Sequence, residues 1–327
     1  MTSNRDDALS SNAHQQAARE LLDGMRLAPA ELLVRLEQAV SPEYWRTLAP
    51  ALTVAGQGAA EPAFVTEVDA ATRRATLSRF ETEGYFVLPP LVSVPLLERL
   101  RHAVTALGAA GWPPVFVWMY DEVWRVPRLQ TLVTLVSEIL GADYVQTPNV
   151  WTHVVPGYRG AMGWRPHVDH QGADSRLTVW VPLTDATVDT GCLCVVPKHL
   201  VPRSVAGRWY DRPTLDMREA MDVVHAARPL PAAAGSVLGW DTGLLHWGAA
   251  RERAGEPRVS VSMEFAVASG GDILDGERFP VRSGEVPSLE ARLRTIARSI
   301  VSYFGSDPRA GSFLDLADAL VDRLGRD

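Results

Sequence analysis

Lysine is almost missing from this chain: Lys198 is the sole one, although lysine and arginine together number 32. The bias reads as the mark of a GC-rich genome, not as chemistry. Cysteine is as scarce, with only Cys192 and Cys194. Two residues apart on a strand, they share a face and rarely satisfy disulfide geometry. A disulfide framework is excluded, and a reducing cytoplasm is the expected compartment. No run reaches the ~18 apolar residues of a membrane span. The N-terminal stretch MTSNRDDALSSNAHQQ is polar and lacks the apolar core of a signal peptide. There is no excess of positive charge either. The net charge of -7 argues against a nucleic-acid footprint, so neither nucleic acid nor membrane is expected as a partner. No internal repeat or low-complexity tract is present, and nothing in the sequence sets the oligomeric state.

What is there is apolar material: 327 residues, 46% of them hydrophobic, enough for a large core. Residues 1–12 read as disordered. From about Ala13 to Leu48 apolar residues recur at helical spacing, with a break at Ser41-Pro42, an N-cap followed by a first helical residue. Residues 54–63 read as a linker, and Thr66 to Glu83 as a helix stopped by Gly84. Tyr85–Leu88 reads as a strand. A helix opening at Ser93-Val94-Pro95 puts Leu96, Leu97, Leu100, Val104 and Leu107 on one stripe. After Leu140 the texture changes. Short β-like runs at 144–154, 177–183, 192–197, 236–240 and 258–266 are separated by Gly, Pro and Asp. Residues 287–325 return to helix. The expectation is a mainly β core, an antiparallel sandwich or barrel, with flanking helices. Its parts are an N-terminal helical extension (1–75), the core with its leading helices (76–270) and a C-terminal helical segment (271–327), all in one compact domain.

The chemistry concentrates in Trp164-Arg165-Pro166-His167-Val168-Asp169-His170. On a strand, His167 and Asp169 would project from one face and could share a metal. Two histidines and one carboxylate on a face of an octahedron leave three positions open, which suits iron(II) that must bind a chelating co-substrate and oxygen. An H-x-D pair alone is equally a surface hydrogen-bonded pair. It gains meaning from His246, which a strand, a turn at Asp241-Thr242-Gly243 and a second short strand would bring to the same mouth. Next comes an alternating run: Arg258, Ser260, Ser262 and Glu264 face one way, Val259, Val261, Met263 and Phe265 the other. A guanidinium inside a barrel can hold a carboxylate bidentately, with a serine hydroxyl beside it. The other reading of this run is an exposed edge strand. Of the remaining histidines, His153 could line the cavity and His170 should face away. His199 reads as structural, and His14, His102 and His225 as surface residues.

These pieces resemble the phytanoyl-CoA dioxygenase-like iron(II)/2-oxoglutarate oxygenases. The resemblance runs over roughly 76–266, from Phe80–Leu88 through the H-x-D segment, Val179–Ala186 and Thr190–His199 to the strands of His246 and Arg258. It implies a double-stranded β-helix (jelly-roll, cupin-like) fold. It further implies His167, Asp169 and His246 as iron ligands and Arg258 as the anchor of 2-oxoglutarate, with O2 as oxidant. Trp180 matches a tryptophan that lies beside the co-substrate, and Gly191 and Pro197 match turn residues. Halogenating relatives lack the carboxylate ligand, so Asp169 points to oxygen transfer. Many relatives carry a serine two residues after the distal histidine. Here that residue is Gly248, and Ser260 is the candidate replacement.

The expected function is a dioxygenase that hydroxylates or otherwise oxidises a small molecule in secondary-metabolite or amino-acid-derivative biosynthesis. The rivals are a zinc-dependent hydrolase on the same three residues and a catalytically inactive β-helix binding protein. Trp112, Phe116, Trp118, Tyr120 and Trp124 read either as a lid over substrate or as glue between helices and barrel.

Overall fold

The computed structural model describes residues 26–54, 68–170, 175–202, 215–269, 279–281 and 284–324. The expectations for residues 1–12, for most of the 54–63 linker and for His14 lie outside these. Helix α1 (Pro29–Ala39) and helix α2 (Pro42–Leu48) meet at the expected break. The Ser41 hydroxyl accepts from the Tyr44 N–H at 3.3 Å, and Pro42 opens the helix. Helix α3 (Ala70–Glu83) starts four residues later than the spacing suggested. The reason is Asp69, whose carboxylate accepts from the Ala71 and Thr72 N–H groups at 2.8 Å each and so caps the first turn. Gly84 ends it at φ +84°, where a side chain would also meet Leu244.

The β block holds a six-stranded antiparallel sheet in the order β1 (Tyr85–Leu88), β6 (Val237–Asp241), β3 (Arg176–Pro182), β8 (Arg258–Val267), β2 (Tyr144–Val155) and β9 (Phe279–Pro280). A three-stranded sheet is ordered β5 (Arg228–Leu230), β4 (Leu193–Val195) and β7 (His246–Gly248). The two sheets face each other across a cluster of Tyr85, Trp180, Leu193, Leu230, Leu238 and Trp240, the jelly-roll interior. The opposite face of the large sheet (Val179, Val181, Val261, Phe265 among others) joins the larger core with the helices. β8 pairs with β3 on one side and β2 on the other, so it is a central strand and the edge-strand reading is overturned. Its alternation comes from this: one face meets the cavity, the other the helical layer.

Helices from both chain ends cover that outer face. They are α4 (Val94–Ala109), α5 (Asp121–Arg125) and α6 (Gln130–Leu140) between β1 and β2, then α8 (Leu289–Tyr303) and α9 (Leu314–Leu324) after β9; α7 (Met217–Ala226) lies between β4 and β5. Leu96, Leu97, Leu100, Val104 and Leu107 are all buried on α4, as their stripe required. Trp112, Phe116, Trp118, Tyr120 and Trp124 are at most 2% exposed and pack on one another and on Trp45, with centroids 4.9 Å apart for Trp45 and Trp112. None of them lines the cavity that holds the histidines, so the lid reading is overturned and the glue reading stands. No helix among the described residues is long and apolar enough to cross a membrane.

Inside this layer Arg292 of α8 and Asp121 of α5 form an ion pair in which both side chains are fully buried. The guanidinium also donates to the carbonyls of Met119 and Pro287 at 2.8 Å. A buried pair that loses one member leaves an uncompensated charge in low dielectric. Arg292→Ala should therefore cost about 3–5 kcal/mol, read as a lower urea midpoint with an unchanged m-value.

Candidate active site

His167 does not lie on a regular strand, as the sequence suggested. It forms a single antiparallel bridge with His246, through His167 N–H to His246 C=O and the reverse, each 3.0 Å. Asp169 and His170 then both donate their N–H groups to the Thr242 carbonyl, at 2.9 and 3.1 Å. The turn at Asp241-Thr242-Gly243 holds the H-x-D segment against β7, and the three side chains converge. Their potential ligand atoms all lie within 4.8 Å of one another. Asp169 Oδ1 is 3.4 Å from His167 Nε2 and 3.5 Å from His246 Nε2. Ligands about 2.1 Å from one ion on adjacent octahedral corners stand about 3 Å apart, so a metal fits with little adjustment.

The remaining polar atoms of these residues are already committed. His167 Nδ1 donates to the Arg165 carbonyl at 2.7 Å and His246 Nδ1 to the Leu244 carbonyl at 2.9 Å. Both rings therefore carry their proton on Nδ1 and turn the Nε2 lone pair inward. His167 Nε2 is buried without a hydrogen-bond partner. Asp169 Oδ2 accepts from Thr178 Oγ1 at 2.7 Å and from Trp240 Nε1 at 2.9 Å, which leaves Oδ1 for the centre.

The charge states follow the surroundings. Burial would raise the Asp169 carboxyl, but the two neighbouring imidazoles and the hydrogen bond from Thr178 outweigh it and hold it well below the usual range. Burial pushes His246 down to about 4 despite Asp169. Burial also lowers His167, but there Asp169 wins and the net shift is upward. The two rings differ because the His167 side chain is 28% exposed and that of His246 only 5%. An ionised carboxylate facing imidazole lone pairs is the donor set a divalent metal requires.

The same cavity is lined by Trp180, Leu193, Gly248 and Arg258 on the co-substrate candidates' side. Arg258 is 2% exposed, and its Nε is buried without a partner. Its guanidinium carbon sits 5.5 Å from the Trp180 ring centre, and its NH1 donates to Ser260 Oγ at a long 3.4 Å. No carboxylate among the described residues pairs with it. A buried guanidinium without an anion is costly, so this cradle fits the far carboxylate of a dicarboxylate. Ser260 is fully buried and off the cavity wall; it props Arg258. Arg251 lies outside this cavity, and Arg253 pairs with Asp189 at 3.4 Å.

Gly248, where relatives carry serine, has a physical cause. A Cβ there would stand 2.7 Å from Gly163 Cα and 3.4 Å from Arg258 NH2. At Gly191 (φ +82°) a Cβ would stand 2.5 Å from the Ala249 carbonyl, as its expected turn role demands.

His153 lines the cavity as expected, with Nε2 3.1 Å from Ser262 Oγ. Burial, with Arg258 adding, pushes it down to about 3, so it is a neutral wall residue. Cys192 and Cys194 are free. The sequence missed Thr178 and Trp240, although strand parity places Thr178 on the face of Trp180. It also missed Trp164 and Tyr303. Tyr303 stands at the end of α8, where no local pattern marks it.

The family model described as phytanoyl-CoA dioxygenase (PhyH) matches residues 115–259, which bears out the resemblance read from the sequence. The match includes His167, Asp169, His246 and Arg258. Comparison with curated proteins finds no match. Among solved structures, the epimerase SnoN in complex with Fe3+, alpha ketoglutarate and nogalamycin RO is 19% identical, over 65% of this chain and 96% of that one, with TM-score 0.48. The carbocyclase SnoK from nogalamycin biosynthesis is 18% identical, over 67% and 98%, with TM-score 0.46. EctD from S. alaskensis in its apoform is 17% identical, over 70% and 93%, with TM-score 0.47. Values this low say nothing about the chemistry of this chain.

Hydrogen bonds that orient a metal ligand typically matter 10- to 100-fold for metal affinity. Thr178→Val and Trp240→Phe should each weaken iron(II) binding by about that range without lowering the thermal midpoint by more than a few degrees. Equilibrium dialysis under anaerobic conditions, beside a melting curve, checks this.

Proposed function

We propose that this chain, which carries the phytanoyl-CoA dioxygenase match, is an iron(II)/2-oxoglutarate-dependent oxygenase that hydroxylates a small molecule. One observation carries the reading: a two-histidine, one-carboxylate cluster shares its cavity with a buried arginine that has no carboxylate partner among the described residues. A zinc hydrolase needs the cluster but has no use for the arginine, and a binding protein without catalysis needs neither.

His167, Asp169 and His246 would hold the iron on one face and leave the other face open toward the cavity. Arg258 would hold the far carboxylate of 2-oxoglutarate, stacked on Trp180 and propped by Ser260. When bound, iron(II) with 2-oxoglutarate supplies a two-electron oxidation of a substrate C–H bond by O2, with succinate and CO2 as by-products. The chain's own part is positioning and exclusion of water. Thr178 and Trp240 fix the Asp169 carboxylate, so Oδ1 cannot swing away from the centre. Trp151, Trp164, Trp180 and Trp240 line the cavity with apolar surface that keeps bulk water out. Neutral His153 offers no competing charge. The carboxylate ligand favours oxygen transfer, and we read the reaction as hydroxylation in small-molecule biosynthesis in the cytoplasm. Desaturation, epimerisation and ring closure would use the same site.

Anaerobic titration of the protein with iron(II) and 2-oxoglutarate tests the centre. A weak visible charge-transfer band should appear in the wild type and be lost in His167→Ala. Stoichiometric zinc with no such band would sink the oxygenase reading. Arg258→Ala should raise the apparent 2-oxoglutarate constant by about tenfold or more, measured by succinate formation. An unchanged constant would move the anchor to Arg251 or Arg253.

A further inference from the structure

Arg258 and Glu264 both line the active-site cavity from one face of β8. Six residues of strand set their backbones about 20 Å apart. A dicarboxylate held between the metal centre and Arg258 would leave the Glu264 side of the cavity for something else. At that end Glu264 stands opposite Thr178 in the β3–β8 register, and Thr178 is the residue that holds Asp169. The Glu264 end is therefore next to the reacting centre.

Glu264 is 5% exposed and half satisfied. Its Oε1 accepts from Arg176 NH1 at 3.0 Å, Asn149 Nδ2 at 3.0 Å and Thr147 Oγ1 at 3.2 Å. No described residue donates to Oε2. Three donors on one oxygen fix the carboxylate rigidly and leave the other oxygen to the cavity. That second oxygen opens to the cavity, where a donor carried on a ligand can reach it. Burial holds the Glu264 carboxyl above its usual range in spite of Arg176, and the charge of Asp169 adds to it. Arg176 therefore compensates incompletely. A charged donor corrects this better than a neutral one, because charge-assisted hydrogen bonds are about twice as strong.

The surfaces beside it agree. Trp151, Trp164 and Tyr303 form a continuous aromatic wall, with Trp151–Tyr303 and Trp164–Tyr303 centroids each 5.2 Å apart. Ring faces attract a cation and shelter its carbon skeleton. Burial, with Glu264 and Asp169 adding, pushes the Tyr303 phenol well above its usual range, so it stays neutral. An anionic substrate would face two carboxylates here.

We propose, resting on the oxygenase reading above, that this wall binds the substrate through a protonated amine that donates to Glu264 Oε2, with its apolar carbons against Tyr303, Trp164 and Trp151. The substrate class is a small amine with a ring or hydrocarbon body. Glu264 sets its orientation over the metal, and Tyr303 shapes the wall. Both lie beyond the family-matched residues 115–259.

The test uses the full-length protein loaded anaerobically with iron(II) and 2-oxoglutarate, and three probes of one shape: benzylamine, benzyl alcohol and phenylacetate. Calorimetric titration should show benzylamine binding at least about tenfold tighter than benzyl alcohol, and phenylacetate weakest. In Glu264→Gln that preference should fall to within about twofold, while 2-oxoglutarate still titrates. Tyr303→Leu, which leaves the Arg176–Glu264 pair intact, should weaken benzylamine at least about fivefold. Equal binding of amine and alcohol by the wild type overturns the proposal, as does an unaltered preference in Glu264→Gln. If Glu264→Gln fails to fold, unchanged benzylamine binding by Tyr303→Leu overturns it instead. Failure of the wild type to take up iron(II) and 2-oxoglutarate at the loading step would be failure of the oxygenase reading, seen before any amine is added.

Discussion

Two backbone hydrogen bonds, His167 N–H to His246 C=O and back, tie together segments of chain that contribute the two imidazoles. Each is an ordinary 3.0 Å bond, and neither belongs to an extended ladder. Yet they fix the ring centroids 4.2 Å apart. The Thr242 carbonyl, which accepts from Asp169 and His170, extends the clasp by one turn and brings the carboxylate between the rings. Side chains presented from a loop on one side and a three-residue strand on the other would wander without it. With it, Nδ1 of each histidine finds a nearby carbonyl, and the lone pairs that remain have one place to point.

The second organiser is the position of β8 in the middle of the large sheet. A central strand has no free edge, so its pleat is rigid and its two faces have different solvents: the helical layer on one side, the cavity on the other. Arg258 stands at the start of the polar face and Glu264 near its end, each buried and each short of one partner among the described residues. The strand thus acts as a ruler. It sets the distance between an anion-seeking guanidinium and a donor-seeking carboxylate oxygen.

The helices are part of the site although they stand behind the sheet. Trp45, Trp112 and Phe116 lock the N-terminal helices together, and the buried pair of Asp121 and Arg292 ties α8 to the segment before the sheet. That bond fixes the direction of α8, and its final residue, Tyr303, reaches the cavity wall. A stability device far from the metal therefore decides what shape the cavity takes.

The local chemistry was written in the sequence. His167-Val168-Asp169, His246 and the alternation from Arg258 to Glu264 could be read because metal binding and strand pairing both depend on residue type and short spacing. Element positions such as Tyr85–Leu88 and the helix opened by Ser41-Pro42 follow from the same short-range rules. The sequence by itself did not decide that 167–169 lies off the strand ladder, that Gly163 packs against Gly248 and excludes a serine, or that Asp169 is held by Thr178 and Trp240. It could not decide whether the tryptophans before the sheet were a lid or glue, since burial of an aromatic looks alike in either role until its neighbours are known. Tyr303 is the clearest case: 57 residues beyond His246, on a helix of ordinary pattern, it reaches the site only because long-range packing turns that helix inward, and no local signal carries such information.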